Sequence, residues 1–272
     1  MNRTAHIGTY YDVLTPLLEH LWGGNLHIGL WSEPATDEPA EDDTAAVTAA
    51  GDRLTDLLLS ELPLHPGHRF LDVGCGTGHP ARRLARTTGA HVTGITISTT
   101  QVQLANSRTE TAGLSHLARF QYADATDLPF PDRSFDGAWA IESLLHIPDT
   151  RRALTELRRV LAPGSPLLIS DMILRAPDPE RHDHSSLTPL TTLRTHLEDS
   201  GFQIEKITDL DEHLHRSLNR LDADLNRRRP HLNDIHGPQA TDALTRILHK
   251  TLPGIGTTFG YVALTARSRT QT

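Results

Sequence analysis

The densest chemistry in the chain lies in FLDVGCGTGHPARRLA, residues 70–85, where Gly74, Gly76 and Gly78 separate an apolar run from an arginine-rich one. Glycines between a strand and a helix let a ligand approach the backbone closely and turn the helix N–H groups toward it. Three ligand types compete for such a loop. A Walker phosphate cradle needs G-x-x-x-x-G-K-[ST], and no Lys-Ser/Thr pair follows here. A dinucleotide fingerprint needs G-x-G-x-x-G, whereas the spacing here is G-x-G-x-G, wrong for a pyrophosphate. The spacing suits a tight turn with room for a sulfonium amino acid, with Asp72 at the preceding strand end orienting water or holding the loop. A tight turn that binds nothing is the plainer alternative.

Two further stretches fall at the ends of the next two apolar runs. GITISTTQ offers Thr96, Ser98 and Gln101 to ribose hydroxyls, where many such sites place a carboxylate. YADATDLPFPD places Asp124 where it can accept a hydrogen bond from an adenine amino group. Alone, Asp124 reads equally well as a helix cap or turn residue. Three polar clusters at three successive strand ends together point to an adenosine-type cofactor.

The elements that position these residues alternate. Val47, Leu54, Leu57, Leu58 and Leu62 recur at helical spacing. The runs RFLDVG, HVTGITI, ARFQYAD, SFDGAWAIES and SPLLISDMIL follow, with helical patterns such as TTQVQLANSRTETAG and RRALTELRRVL between them. Short strands alternating with helices of this length predict a parallel sheet with crossover helices. The region 175–187 is polar and Pro-containing, which predicts a loop. LTPLTTLRTHLEDSG reads as a helix, FQIEKITDL as a sixth strand and TTFGYVALTA as a seventh. Between the last two, 211–252 is helical and polar, with breaks expected at Pro230 and Gly237.

Composition bounds the function. With 272 residues and 37% apolar content the chain can build a core unaided. A net charge of −8 argues against a non-specific nucleic-acid binder, which needs a broad basic field. One cysteine excludes an internal disulfide framework and fits a reducing compartment. No stretch reaches the ~18 apolar residues of a membrane span and no signal-like h-region opens the chain, so a soluble cytoplasmic protein is expected.

With these residues in view, the chain resembles the class I S-adenosylmethionine-dependent methyltransferases. The resemblance runs over roughly residues 10–172 through YYD, WGGNLHIGLW, LDVGCGTGHPARRLA, VTGITISTTQVQLAN, YADATDLPFPDRSFD, WAIESLLHIPD and RRVLAPGSPLLISD. It is nearest to bacterial natural-product members such as indolocarbazole sugar O-methyltransferases, with tocopherol, sterol and cyclopropane-type C-methylating enzymes as relatives. The implied fold is an α/β, Rossmann-like, seven-stranded doubly wound sheet. Its implied parts are an N-terminal helical cap (1–60), a cofactor-binding core (61–175), a loop, helix and sixth strand (176–210), a helical lid or acceptor-binding insertion (211–252), and a last strand and tail (253–272).

The resemblance also implies roles. Tyr11, Gly74, Cys75 and Gly76 would meet the methionine end of the cofactor, with Asp72 also in the cofactor site. Thr96 and Gln101 would hold the ribose, with Ile97 also binding the cofactor; Asp124 and Ala125 would flank the adenine, and Ile141 would lie beneath the cofactor. Trp22, His27 and Trp31 would cap the transfer site over a small-molecule acceptor, the alternative being simple packing on the sheet.

One position departs from the family. O-methylating members resemble ESLHH after the fourth strand, with the first His as base oriented by the Asp of the fifth strand. Here the stretch is Glu142-Ser143-Leu144-Leu145-His146, so Leu145 stands at the position of the base while Asp171 remains. Leucine takes no proton, which leaves His146 and Asp171 as catalytic candidates and Leu145 as part of the acceptor wall. Methyl transfer can proceed without a base where alignment alone supplies effective molarities of roughly 10⁵ M or more. The family also contains cyclases that keep fold and cofactor, so a non-methylating cyclase is the alternative function. No metal site is expected: His182 and His184 lack a third ligand, and the run Arg227, Arg228, Arg229 with His231 reads as a solvated face.

Overall fold

The computed structural model describes residues 14–32, 44–176 and 187–270. Tyr11 and the His182–His184 pair lie outside the described residues, as does most of the loop expected over 175–187. Seven strands form one sheet: β1 (Arg69–Val73), β2 (His91–Thr96), β3 (Ala118–Tyr122), β4 (Gly137–Ile141), β5 (Pro166–Leu174), β6 (Phe202–Asp209) and β7 (Phe259–Ser268). Their order is β3-β2-β1-β4-β5-β7-β6. β1 pairs in parallel with both β2 and β4, while β7 runs antiparallel between β5 and β6. The five parallel strands match the expectation. β7 is the exception, antiparallel to both of its neighbours.

Strands β2 and β4 are almost wholly buried, as strands covered on both faces must be. One face packs α2 (Thr44–Ser60), α3 (His79–Thr88) and α4 (Thr99–Thr111), with a helix over 14–22 (α1) as the outer element. Phe70 and Trp139 anchor that core, their rings edge-on at 5.3 Å. The other face packs α5 (Thr150–Val160) and α6 (Leu190–Asp199) through Leu154, Leu157, Leu193 and Leu197. Side-chain caps open two of these helices: Ser98 accepts from the Gln101 N–H at 3.1 Å, so it caps α4 rather than lining the cavity, and Asp149 accepts from the Arg152 N–H at 2.9 Å.

The insertion consists of α7 (Asp211–His236) and α8 (Pro238–Thr251). Gly237 separates them as expected, but Pro230 does not break α7. The helix carries through it because Leu225 and Leu232, on either side, are both fully buried in the same core. The N-terminal strap 23–32 is wedged between α2 and α7. The Ser217 hydroxyl of α7 accepts from Gly29 N (3.0 Å) and the Trp31 indole N–H (2.9 Å), and Leu30 N donates to Ala50 O at 2.8 Å.

Candidate active site

From β1 the chain runs outward to β2 and β3, then returns to β4 on the other side of β1. That reversal opens a crevice at the carboxyl ends of the strands. A cavity of ≈ 270 Å³ lies there. Its wall follows the strand order: Ala123–Thr126 after β3, Thr96 and Ile97 after β2, Asp72–Thr77 after β1, Ile141–Ser143 after β4, and Met172 on β5. Four inter-strand steps at ~4.8 Å make this trench roughly 19 Å long. Leu18, Trp22, Leu26 and His27 close it from the N-terminal side.

The glycine loop is held from several sides. Gly74, Gly76 and Gly78 all have positive φ (73°, 51° and 77°). Gly74 N and Cys75 N both donate to Ile95 O, at 2.9 and 3.0 Å, tying the loop to β2. A Cβ on Gly74 would lie 2.3 Å from the Ser143 Cβ, so glycine is required there by close approach as well as by φ. A Cβ on Gly76 meets nothing nearer than Leu26 Cδ1 at 3.9 Å. Arg82 of α3 donates to Thr77 O at 2.8 Å and braces the loop from behind. Cys75 is buried, which pushes its thiol well above the usual range and leaves it neutral.

Asp72 is 3% exposed, and its Oδ2 has no hydrogen-bond partner among the described residues. Burial pushes its carboxyl up to about 7, with the neighbouring Trp139 indole pulling back. A buried carboxyl oxygen left without a hydrogen bond on a cavity wall fits a cationic ligand group. Thr96 donates to Gln101 Oε1 at 2.7 Å, and Gln101 Nε2 donates to Thr15 of α1 at 3.2 Å, so this pair also fastens α1 over the trench. Asp124 Oδ1 accepts from the N–H and hydroxyl of Thr126, at 2.9 and 2.8 Å. The turn reading of Asp124 is therefore correct, and it is compatible with a place on the cavity wall.

Of the four residues expected at the acceptor, Trp22, His27 and Leu145 line the cavity. Trp31 does not. Its indole N–H is taken by Ser217 and the Arg220 guanidinium sits 4.6 Å above its ring, so it docks the strap onto α7. His27 is fully buried: Nδ1 donates to Ile28 O at 2.7 Å, and Nε2 pairs with the Thr55 hydroxyl at 3.0 Å. The carbonyl can only accept, which places the proton on Nδ1, and burial pulls the imidazole down to about 4. His146 lines the cavity, and burial pulls it down to about 4 as well.

Asp171 is not on the cavity wall. Its oxygens accept from Leu145 N (3.1 Å) and Met172 N (2.8 Å), so it fixes the turn that carries Leu145 and His146. Burial raises its carboxyl well above the usual range, and neighbouring Glu142 raises it further. The sequence reading cast Asp171 as the partner of a base. With leucine at 145 it has only backbone to hold.

No residue of 211–252 lines the cavity; the insertion lies behind the strap rather than over the site. Among the lining residues that the sequence did not single out are Ser143 and Glu142. Ser143 Oγ is buried without a partner among the described residues. Glu142 has φ 46°, and its Oε1 accepts from Ile28 N (2.7 Å) and the Tyr261 hydroxyl (3.0 Å). Its place in the ESLLH stretch was visible, but a strained backbone and a contact to β7 leave no local signature. Among the described residues no group of His, Cys, Asp and Glu is placed to hold a metal ion, and no helix is long and apolar enough to cross a membrane.

Residues 71–169 match the family model of the methyltransferase domain. The chain is 42% identical over 215 residues to the O-methyltransferase rstn1 of Aspergillus nomiae, covering 76% of this chain and 92% of that one. The chain belongs to the class I S-adenosylmethionine-dependent methyltransferases. It is also 39% identical over 219 residues to the 27-O-demethylrifamycin SV methyltransferase of Amycolatopsis mediterranei, covering 76% of this chain and 77% of that one. Among solved structures it superposes on the [4+2]-cyclase SpnF with a TM-score of 0.86 and 34% identity, over 98% of this chain and 97% of that one. S-adenosylmethionine is the family cofactor, and the trench of this methyltransferase fits it. The free Oδ2 of Asp72 suits an α-ammonium group, and the open space off Gly76 suits a ligand that packs on bare backbone.

Proposed function

We propose that this methyltransferase acts on a hydroxyl group of a small, largely apolar metabolite. The observation that carries the reading is the layout of the trench. Its β3–β1 part offers Asp124, Thr96, Gln101, Asp72 and bare glycine backbone, while its β4–β5 part offers the apolar Ile141, Leu145, Ile147 and Met172 around the polar Glu142, Ser143 and His146. S-adenosylmethionine, when bound, supplies an electrophilic methyl on a sulfonium centre. Asp72 holds the ammonium end, Gly74–Gly76 give it room, Thr96 and Gln101 meet the ribose, and Asp124 and Ala125 flank the adenine. Leu145, Met172 and the cap residues Trp22 and His27 exclude water and orient the acceptor for in-line attack. The relatives at about 40% identity that are named O-methyltransferases support oxygen as the attacking atom.

The experiment incubates the purified protein and S-adenosylmethionine with a panel of substituted phenols and hydroxylated macrolactones, and measures S-adenosylhomocysteine release. Stoichiometric release with a methyl ether as co-product is the expected result. A second reading, cyclisation within the pocket without methyl transfer, draws on the likeness to SpnF and on the apolar residue at 145. Isomerisation of a substrate that carries a conjugated diene and an alkene, with no S-adenosylhomocysteine formed, would favour it.

A further inference from the structure

Glu142 stands out from every other residue of the cavity wall. It is a non-glycine residue held in the left-handed region, with φ 46°. Such a backbone costs about 1–2 kcal/mol per residue and persists where the surroundings enforce it, most often at active sites. Two donors enforce it here, from elements far apart in sequence. Ile28 N reaches it from the strap at 2.7 Å, and the Tyr261 hydroxyl from β7 at 3.0 Å, both onto Oε1. Tyr261 Oη lies 3.1 Å from the Ser170 hydroxyl of β5, so the tyrosine itself is fixed and fully buried. The other carboxylate oxygen, Oε2, has no partner among the described residues, and Glu142 faces the cavity beside Ser143 and Leu145.

We propose that Glu142 is the general base of this enzyme, with Oε2 taking the acceptor's hydroxyl proton and Tyr261 acting as the positioning residue that holds Oε1. The inference rests on the hydroxyl-methylating reading above. The acceptor oxygen forms its new C–O bond to the methyl as the sulfonium C–S bond breaks. The C–S electron pair stays on sulfur, and the hydroxyl proton passes to Glu142, which later releases it to water. The balance needs no further reactant. Glu142 thus does from the end of β4 what a histidine at position 145 would do from the turn after it.

The surroundings suit the role. Burial pushes the Glu142 carboxyl up to about 7, with the Ile28 N–H and Tyr261 hydroxyl pulling back. A base with a pKa near the working pH combines a useful ionised fraction with proton affinity. The other titratable groups around it are Asp171 on β5 and Tyr261 on β7, both raised by burial and by Glu142. His27 and His146 share the cavity wall and are both held low, at about 4, so neither competes for a proton near neutrality.

The test uses the panel acceptor that gives the fastest S-adenosylhomocysteine release. Glu142→Gln keeps a carbonyl for Ile28 N and Tyr261 but cannot take a proton. It should lower kcat by roughly 10²–10⁴-fold, leave S-adenosylhomocysteine affinity within about threefold by calorimetry, and abolish the acid limb of the kcat profile near pH 7. Tyr261→Phe removes a bond that holds the Glu142 pKa down, so the acid limb should move to higher pH while the maximal rate falls less. A Glu142→Gln variant that keeps the acid limb, or loses less than about tenfold in kcat, overturns the base assignment. So does a limb left in place by Tyr261→Phe, which also decides the matter should Glu142→Gln fail to bind cofactor. A limb lost in His146→Ala but kept in Glu142→Gln transfers the role to His146. A parent that releases no S-adenosylhomocysteine with any acceptor removes the hydroxyl-methylating reading and the base together. An active parent with an unaffected Glu142→Gln removes only the base.

Discussion

Gly74 and Gly76 lie two residues apart in one loop, both with positive φ, yet their substitutions should fail in opposite ways. Alanine at either position must adopt a left-handed backbone, at about 1–2 kcal/mol. At Gly74 the added Cβ would also sit 2.3 Å from the Ser143 Cβ, far inside the ordinary carbon–carbon contact of about 3.5–4.0 Å. Neither partner can move away cheaply, because Gly74 N and Cys75 N are bonded to Ile95 O and Ser143 directly follows Glu142 at the end of β4. Such overpacking costs about 1–3 kcal/mol more. Gly74→Ala should therefore destabilise by about 2–5 kcal/mol in urea titrations. Ser143→Gly should restore most of the overpacking share in the double variant, leaving the backbone share behind. At Gly76 the new side chain meets only open cavity toward Leu26. Gly76→Val should cost only the backbone strain, enlarged by β-branching, while abolishing S-adenosylhomocysteine binding by calorimetry. Equal destabilisation at the two positions, no rescue by Ser143→Gly, or intact binding in a folded Gly76→Val would each refute the reasoning.

Asp72→Asn should weaken S-adenosylmethionine binding by at least about tenfold, since it deletes the only carboxylate of the β1 end; calorimetry reads it. Because the folded-state pKa of Asp72 lies at about 7, above its unfolded value, the carboxyl favours the folded state at low pH and loses that contribution as pH rises toward 7. The cofactor-free Asp72→Asn protein should accordingly lose less stability than the parent between pH 4 and 8, a trend that urea midpoints will show or exclude. His27 has the opposite sign: its folded value of about 4 lies below the unfolded 6.5, so its contribution is complete above 6.5 and is lost as pH falls to 4. The shift corresponds to about 3 kcal/mol, and the stability difference between the parent and His27→Gln should shrink by that order across the window. His146→Ala should lower kcat by less than about tenfold, and Leu145→His, placed beside the Asp171 carboxylate, should gain activity on hydroxyl acceptors that the parent leaves untouched.

Much of this protein was readable along the chain because its signals are local. Gly-x-Gly-x-Gly after an apolar run demands left-handed backbone at a strand-to-helix turn. The alternation of short apolar runs with helical spacing predicts the five parallel strands. The polar clusters at Asp72, Thr96 and Asp124 could be assigned to one site because parallel strands bring their carboxyl ends to one edge. What no local pattern carries is which distant groups meet. The choice of Trp31 for α7 rather than the cavity depends on Ser217 and Arg220, nearly two hundred residues away. The persistence of α7 through Pro230 depends on two buried leucines outweighing one lost hydrogen bond. Asp171 kept its place in the motif but turned to backbone, because the side chain it would have held is a leucine. Glu142 acquired its strained φ and raised carboxyl only when Ile28 and Tyr261 closed on it from opposite ends of the chain. The sequence determined the elements and the cofactor edge through short-range sterics and periodicity. The acceptor wall was decided by long-range packing, which sets burial, and burial is what sets the proton affinity of the groups that line it.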